Sequence, residues 1–214
     1  MPIRPKLMYL ARRNPALSRE QFTPRWRQHG ALGMSMPRWK NIWRYVHCDV
    51  IAGDYDGVGI VWHRSPDTRR AHREDTSSQA AMEADEVQTF DGLVGNFCAL
   101  LEERQVLAGS APVKLIRFHQ RPGEVRDGFV ADWAASQAEM LMRQPGVDGR
   151  LRAYVQNHAL PSESGRPWGL RYDYVEELWF DTIEAARDAE LALRVGSDCV
   201  VAVLTNEVVL YQVS

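Results

Sequence analysis

The residues best suited to chemistry in this sequence are a histidine on a predicted helix and two polar residues on a predicted strand. His29 follows Trp26 by one helical turn, so both side chains fall on one helix face. An imidazole there would serve as a general base toward an acidic C–H or a phenolic O–H, because its pKa lies near neutral pH. The alternative is a histidine that only caps the helix end, beside Gly30.

A predicted strand over residues 44–49 carries the second group of candidates. Along it Tyr45, His47 and Asp49 alternate onto one face. Tyr45 and His47 would donate hydrogen bonds to a carbonyl or enolate oxygen. Alternatively, this face lies at the rim of the fold and is only solvated. We therefore predict His29 as the catalytic base, with Tyr45 and His47 as orienting donors.

A carboxylate in the second half of the chain is the fourth catalytic candidate. Glu177 is predicted to share a strand face with Asp173, Val175 and Trp179. On an otherwise apolar face a carboxyl group is desolvated, which would raise its pKa and suit it to carrying a proton. A paired or solvent-reaching Glu177 is the alternative. The other histidines lack a comparable context and are predicted to be structural or exposed: His63, His72, His119 and His158.

Aromatic residues are abundant enough to suggest a ligand site. Seven tryptophans are more than a core of this size requires, and such rings often stack on flat ligands. The predicted substrate contacts are Trp26, Trp39, Trp43, Trp62, Tyr154 and Asp173. Ordinary core packing is the alternative for the tryptophans.

The elements that must position these residues occur twice along the chain. Segments 6–10 and 114–118 both begin with Lys-Leu and predict buried strands that start 108 positions apart. A Phe-x-x-x-Trp pair follows each strand on a predicted helix, as Phe22 with Trp26 and as Phe129 with Trp133. Capping-box patterns open two of the predicted helices, at Ser18 and at Asp181. Each copy therefore predicts the order strand, helix, strand, strand, helix, strand.

This order predicts the fold class. We expect an α+β protein in which tandem ferredoxin-like βαββαβ repeats, at 1–109 and 110–214, form an intramolecular dimeric α/β barrel. Helices would cover one face of each antiparallel sheet, and the two bare faces would cover each other around a small-molecule pocket. A monomer is sufficient for such a barrel, and exposed edges would also allow a homodimer.

The same residues resemble a known family, the EthD-like branch of the dimeric α/β-barrel superfamily. The residues that carry the resemblance are Phe22, Trp26, His29, Arg44-Tyr45, Asp56-Gly57-Val58, Trp62, and Asp85-Glu86 before Phe90. The second half matches more loosely, through Phe129, Trp133, Tyr154, Asp173, Glu177 and Trp179. The resemblance implies the barrel fold and strengthens His29 as a functional residue. It implies no single reaction, since the superfamily includes cofactor-independent monooxygenases, isomerases, cyclases, decarboxylases and haem proteins.

Composition and missing motifs argue against several functional classes. A net charge of −2 and a pI near 6.3 predict no general affinity for nucleic acid or anionic membranes. Three widely separated cysteines, an N-terminus without signal-peptide character and the lack of a membrane-spanning apolar run predict a cytoplasmic protein. Because phosphate-loop, zinc and serine-hydrolase motifs are missing, we predict no metal and no organic cofactor. Haem stays open, since one axial histidine would be sufficient.

These observations predict a cofactor-independent acid–base enzyme that acts on a hydrophobic aromatic or polyketide-like small molecule. Its reaction would be an isomerisation, cyclisation, dehydration or addition of oxygen. A non-catalytic small-molecule or haem-binding protein is the alternative. A third hypothesis is an accessory protein whose barrel is filled by side chains and holds no pocket.

Overall fold

A computed structural model describes residues 4–120, 131–160, 172, 174–194 and 197–213, with the backbone alone at 131–135. The first half contains four strands, three α-helices and two short 3-10 helices. They are β1 (Lys6–Ala11), α1 (Arg19–Ser35), a 3-10 helix (Pro37–Asn41), β2 (Ile42–Ala52), β3 (Gly57–His63), α2 (Pro66–Glu74), α3 (Gln79–Thr89), a 3-10 helix (Val94–Asn96) and β4 (Cys98–Leu107).

In the described part of the second half the order is four strands and two helices. They are β5 (Val113–His119), α4 (Ala131–Met142), β6 (Leu151–Ala159), β7 (Tyr174–Phe180), α5 (Ile183–Arg194) and β8 (Cys199–Gln212). No helix in the described ranges is both long and apolar enough to cross a membrane.

The strands close into one antiparallel barrel in the order β1-β3-β2-β8-β5-β7-β6-β4. The first four strands therefore lie side by side as β4-β1-β3-β2, and the last four as β8-β5-β7-β6. The two sets join where β2 pairs with β8 and where β4 pairs with β6, so that both edges of each set are covered. The structure confirms an α+β fold with an eight-stranded antiparallel barrel, consistent with a dimeric α/β barrel.

The interior of the barrel is filled by alternate side chains from the strands. Buried apolar residues from both halves meet there, among them Met8, Leu10, Val46, Ile60, Trp62, Ile116, Phe118 and Val203. Since neighbouring strand residues point to opposite faces, Tyr9 and Tyr45 instead point outward, toward the helices. The predicted pocket between the two sheets is replaced by this packed interior.

Glu177 lies inside the barrel in a cluster of buried charges. Its carboxylate accepts hydrogen bonds from Lys6, from Lys114 at 2.7 Å and from the amide of Asn157 at 3.0 Å. Burial opposes ionisation, but the ammonium groups of Lys114 and Lys6 outweigh it and hold the pKa of Glu177 well below its ordinary value. The prediction that the pKa of Glu177 is raised is therefore wrong, because two lysines distant in sequence stabilise the ionised carboxylate.

Helix α1, which carries His29, begins as the capping box predicts. The Ser18 hydroxyl accepts from the backbone amide of Gln21 at 3.2 Å, and the Gln21 side chain accepts from the Ser18 amide at 2.8 Å. For α5 the predicted cap is wrong by one residue. Thr182, not Asp181, supplies the capping oxygen, which accepts from the Ala185 amide at 3.1 Å.

Candidate active site

A cavity of about 690 Å³ lies between the outer face of the first-half sheet and helices α1, α2 and α3. This volume is in the range of sites that hold drug-sized molecules. Its wall includes three of the predicted site residues, His29, Tyr45 and Trp39. We call it the first-half cavity.

Two tyrosine hydroxyls meet in the sheet wall of this cavity. The Tyr9 and Tyr45 hydroxyl oxygens lie 3.1 Å apart, and the Trp26 indole N–H donates to Tyr9 at 3.0 Å. The Nε2 atom of His47 contacts the Tyr45 hydroxyl. Arg27 donates to Nδ1 of His47 at 2.5 Å. Since Nδ1 accepts, Nε2 carries the hydrogen of the neutral ring and donates to Tyr45.

Among the described residues, these contacts leave one of the two hydroxyl hydrogens without an acceptor. Tyr9 and Tyr45 each accept a hydrogen bond from a neighbour, and only one of their two hydrogens can lie between them. Burial raises the pKa of Tyr9 to about 12 and the pKa of Tyr45 well above its ordinary value, so both are protonated at neutral pH. The pair can therefore donate to a carbonyl or enolate oxygen in the cavity, as an oxyanion hole does.

Two glycines in β3 make room for the aromatic rings of this network. A Cβ atom on Gly59 would lie 2.0 Å from the Tyr9 ring, and one on Gly57 would lie 2.4 Å from the Trp26 ring. Between them Val58 points into the barrel. Glycine in a strand interior often marks such a close approach. The Asp56-Gly57-Val58 segment thus has a physical role, which is to let these rings lie against the strand.

His47 occupies a different place from the predicted one. It is fully buried, and its ring stacks on Trp26 with the centroids 3.6 Å apart. Desolvation and the Arg27 guanidinium hold the pKa of His47 well below its ordinary value, so the ring is neutral. His47 therefore positions Tyr45, and Trp26 is a buried part of the same network.

His29 is held by a carboxylate on the neighbouring helix. Its Nδ1 atom lies 2.7 Å from Asp85, whose other oxygen accepts from Arg25 at 2.5 Å. Burial of Asp85 opposes ionisation, but the hydrogen bonds from Arg25 and His29 hold the pKa of Asp85 below its ordinary value. Desolvation lowers the pKa of His29, against the opposing effect of Asp85. A neutral imidazole oriented through Nδ1 by a carboxylate has the arrangement of a general base.

Glu86 is a cavity residue that sequence reasoning placed in the family pattern but not among the catalytic candidates. One of its oxygens accepts from the Val94 amide at 2.8 Å. Burial raises the pKa of Glu86 to about 7, so that it is about half protonated at neutral pH. Glu86 and His29 therefore have pKa values shifted in opposite directions within one wall, a pattern typical of acid–base pairs.

Two histidines that the sequence left aside also line the cavity. The Nδ1 atoms of His63 and His72 face backbone carbonyls, of Pro5 at 3.4 Å and of Arg38 at 3.2 Å. Desolvation lowers the pKa of His63 to about 2 and the pKa of His72 to about 4, so both rings are neutral at pH 7. Within the described ranges, the buried Nε2 atom of His63 has no hydrogen-bond partner.

The other predicted substrate contacts do not all meet here. Trp39 lines the cavity and packs edge-on against Tyr45. Trp62 lies in the barrel interior, where its indole N–H donates to Glu103 at 3.0 Å. Trp43 packs against the same interior cluster. Asp173 lies outside the described residues, as do Phe129 and the side chain of Trp133.

The second half presents a different chemistry on the corresponding sheet face. Arg117 on β5 lies opposite Glu176 on β7 in the strand register, as Tyr9 on β1 lies opposite Gly59 on β3. Glu176 is buried and accepts from Arg117 at 2.6 Å, from Tyr154 at 2.6 Å and from His119 at 2.9 Å. Tyr154 is therefore engaged in a buried network of charges, and the residues described on this face include no pair of contacting tyrosine hydroxyls like that of the first half.

Comparison with known proteins supports the barrel fold. The structure is similar to a protein provisionally named a chlorite dismutase, at 11% identity over 96% of this chain and 95% of that chain, with a TM-score of 0.54. A mutant chlorite dismutase from Candidatus Nitrospira defluvii matches at 9% identity over 96% and 90%, with a TM-score of 0.52. A provisionally named monooxygenase from Fusobacterium nucleatum matches at 9% identity over 98% and 93%, with a TM-score of 0.50.

At these identities the similarity shows the fold alone. No family model matches the chain, and no curated protein matches it by sequence.

Proposed function

We propose that this protein is an acid–base enzyme that acts, without an organic cofactor or metal, on a hydrophobic aromatic or polyketide-like small molecule in the first-half cavity. The observation that carries the proposal is that His29, Glu86 and the Tyr9–Tyr45 pair line one cavity. A general base, a group protonated near neutral pH and a hydrogen-bond donor for a developing oxyanion are the parts that proton transfer next to a carbonyl requires.

The proposed chemistry assigns each group a step. The unprotonated Nε2 atom of His29 removes a proton from the carbon beside a carbonyl, and the electron pair moves onto the carbonyl oxygen. The free hydroxyl hydrogen of the tyrosine pair stabilises that oxygen. Protonated Glu86 then returns a proton at a second carbon, and His29 passes its proton to the Glu86 carboxylate or to water. The balanced result is an isomerisation, and elimination or ring closure from the same enolate would give a dehydratase or cyclase.

We also infer that the barrel is built from two tandem EthD-like units, 1–109 and 110–214. The strand orders β4-β1-β3-β2 and β8-β5-β7-β6 are equivalent, unit by unit. Lys6 and Lys114 hold equivalent places and bind one carboxylate, that of Glu177. A chain that closes its own barrel functions as a monomer, and its outer surface remains available to a homodimer. Unpaired cysteines support a cytoplasmic location.

Enzyme-catalysed exchange of carbon-bound hydrogen with solvent tests the proposed acid–base function without knowledge of the natural substrate. We expect the protein to catalyse exchange of the acidic C–H of bicyclic aryl ketones, such as tetralones with and without a ring carboxylate, followed by proton NMR in D₂O. Removal of the Tyr45 hydroxyl in Tyr45→Phe should lower kcat/KM by about 10²-fold. Tyr211→Phe, on the adjacent strand, is the matched control and should retain the wild-type rate. Exchange no faster than in buffer across the panel would refute the proposal.

One observation favours a second candidate, a haem-binding protein without turnover. His63 lines the cavity, its buried Nε2 atom has no hydrogen-bond partner among the described residues, and its Nδ1 atom faces a backbone carbonyl, as in metal-ligating histidines. Haem bound there would supply redox or ligand-binding chemistry at iron. A Soret band in the purified protein that disappears in His63→Ala would favour this candidate. A spectrum without that band, unchanged after haem is added, would remove it.

A further inference from the structure

The first-half cavity contains a cation that forms no direct ion pair with any of the described residues. Arg38 belongs to the 3-10 helix Pro37–Asn41 and lies in the cavity wall, half-buried. Within the described part of the chain no carboxylate forms an ion pair with its guanidinium. Desolvation lowers the pKa of Arg38, and the more distant carboxylates of Glu86 and Asp75 offset this only in part. A half-buried guanidinium of this kind is stabilised by an anion.

The carboxyl group of the cavity wall that acts on Arg38 is only a weak counter-charge. Glu86 lines the same cavity and raises the pKa of Arg38, but burial raises the pKa of Glu86 itself to about 7, so its negative charge is partial at neutral pH. In a partly desolvated site, a guanidinium with so weak a counter-charge attracts a negatively charged ligand.

A hydrogen-bond donor lies next to Arg38 in the same wall. The indole N–H of Trp39 is buried and has no acceptor within the described residues. Its ring packs edge-on against Tyr45 on one side and Tyr211 on the other, which fixes its orientation. A buried donor without an acceptor is costly, and a ligand oxygen would satisfy it. The ring also offers an aromatic surface beside that donor.

We propose that the ligand of this cavity carries a carboxylate on an aromatic ring system, and that Arg38 and Trp39 bind that carboxylate. The inference rests on the proposed function, because it names the substrate class of the same site. A planar guanidinium matches a carboxylate in a two-point hydrogen bond. The apolar wall formed by Leu7, Ile42 and Val61 suits the ring system.

Calorimetric titration of the full-length protein with a naphthoate and the naphthamide of the same ring substitution tests the inference. The two probes differ only in charge at one group. We expect the wild-type protein to bind the carboxylate about tenfold or more tightly than the amide. Arg38→Gln should abolish this preference, and Arg38→Lys should retain part of it. Arg70→Gln, an exposed arginine on α2, is the matched control and should keep the full preference.

Three results would overturn the inference: equal affinities for the two probes, a preference that survives in Arg38→Gln, or no binding of either probe to the wild-type protein. Catalysed exchange of the ketone C–H, measured on the same samples, distinguishes failure of the carboxylate proposal from failure of the proposed acid–base function. Exchange without carboxylate preference refutes only the substrate class. Carboxylate preference without exchange refutes only the acid–base function.

Discussion

Replacement of Glu177 by glutamine is expected to destabilise the barrel strongly while leaving the chemistry of the cavity intact. The change leaves the ammonium groups of Lys6 and Lys114, each 1% exposed, without their shared counter-charge. Breaking a buried ion pair from one side typically costs about 3–5 kcal/mol. For a protein of this size that loss lowers Tm by roughly 6–20 °C.

The size of the effect depends on the remaining partners of the two lysines. Lys6 keeps Glu103 at 2.9 Å, and Lys114 keeps Glu207. Thermal unfolding followed by circular dichroism measures the loss, and Glu190→Gln, in an exposed ion pair on α5, is the control that should change Tm little. A Glu177→Gln protein with unchanged Tm but lost exchange activity would contradict this account, since it would make Glu177 a proton carrier.

Replacement of His29 by alanine is expected to lower kcat/KM for the exchange reaction by about 10²–10⁴-fold, the usual contribution of a positioned base. The fold should persist, because Asp85, the partner of His29, keeps its ion pair with Arg25. His158→Ala, on β6 outside the cavity, serves as the matched control. Wild-type activity in His29→Ala would remove the histidine from the mechanism and leave Glu86 as the base.

The pH profile of the same reaction gives a second readout. His29 must be unprotonated, and its pKa lies below the ordinary value, so activity should rise with pH and reach its plateau below the usual histidine range. In the exchange reaction Glu86 delivers the deuteron that replaces the proton removed by His29, so Glu86 must be protonated and activity should fall as pH rises through about 7. We therefore expect a bell-shaped profile whose acidic limb disappears in His29→Ala and whose alkaline limb disappears in Glu86→Gln.

Local sequence patterns predicted the elements and part of the site. The capping box at Ser18 and the spacing of Trp26 and His29 depend only on near neighbours, as does the alternation of Tyr45 and His47. These features could be predicted from the sequence for that reason. The order of elements was likewise sufficient to predict a barrel, since each sheet has a face that must be covered.

Features that depend on contacts between residues far apart in the sequence could not be predicted. Glu177 is neutralised by Lys6, 171 positions away, and no local pattern indicates that pairing. The position of the cavity depends on which face of the sheet is filled by side chains. Residues from both halves fill the barrel interior, so the cavity lies on the outer face of the sheet, under the helices. Burial between distant elements raises the pKa of Glu86 to about 7, although the hydrogen bond from the Val94 amide lowers it, and the local sequence does not indicate that burial. The role of Gly59 likewise appears only once the Tyr9 ring is placed against it.

The proposed function depends above all on a carboxyl group in the first-half cavity that transfers a proton at neutral pH. The most direct test is a carbon-13 NMR titration of the full-length protein labelled at the glutamate carboxyl carbons, with the Glu86 signal assigned from its absence in Glu86→Gln. We expect a midpoint of about 7 for Glu86. A midpoint near the ordinary value of about 4.3 would contradict it, because Glu86 would then be fully ionised at neutral pH and unable to act as the acid.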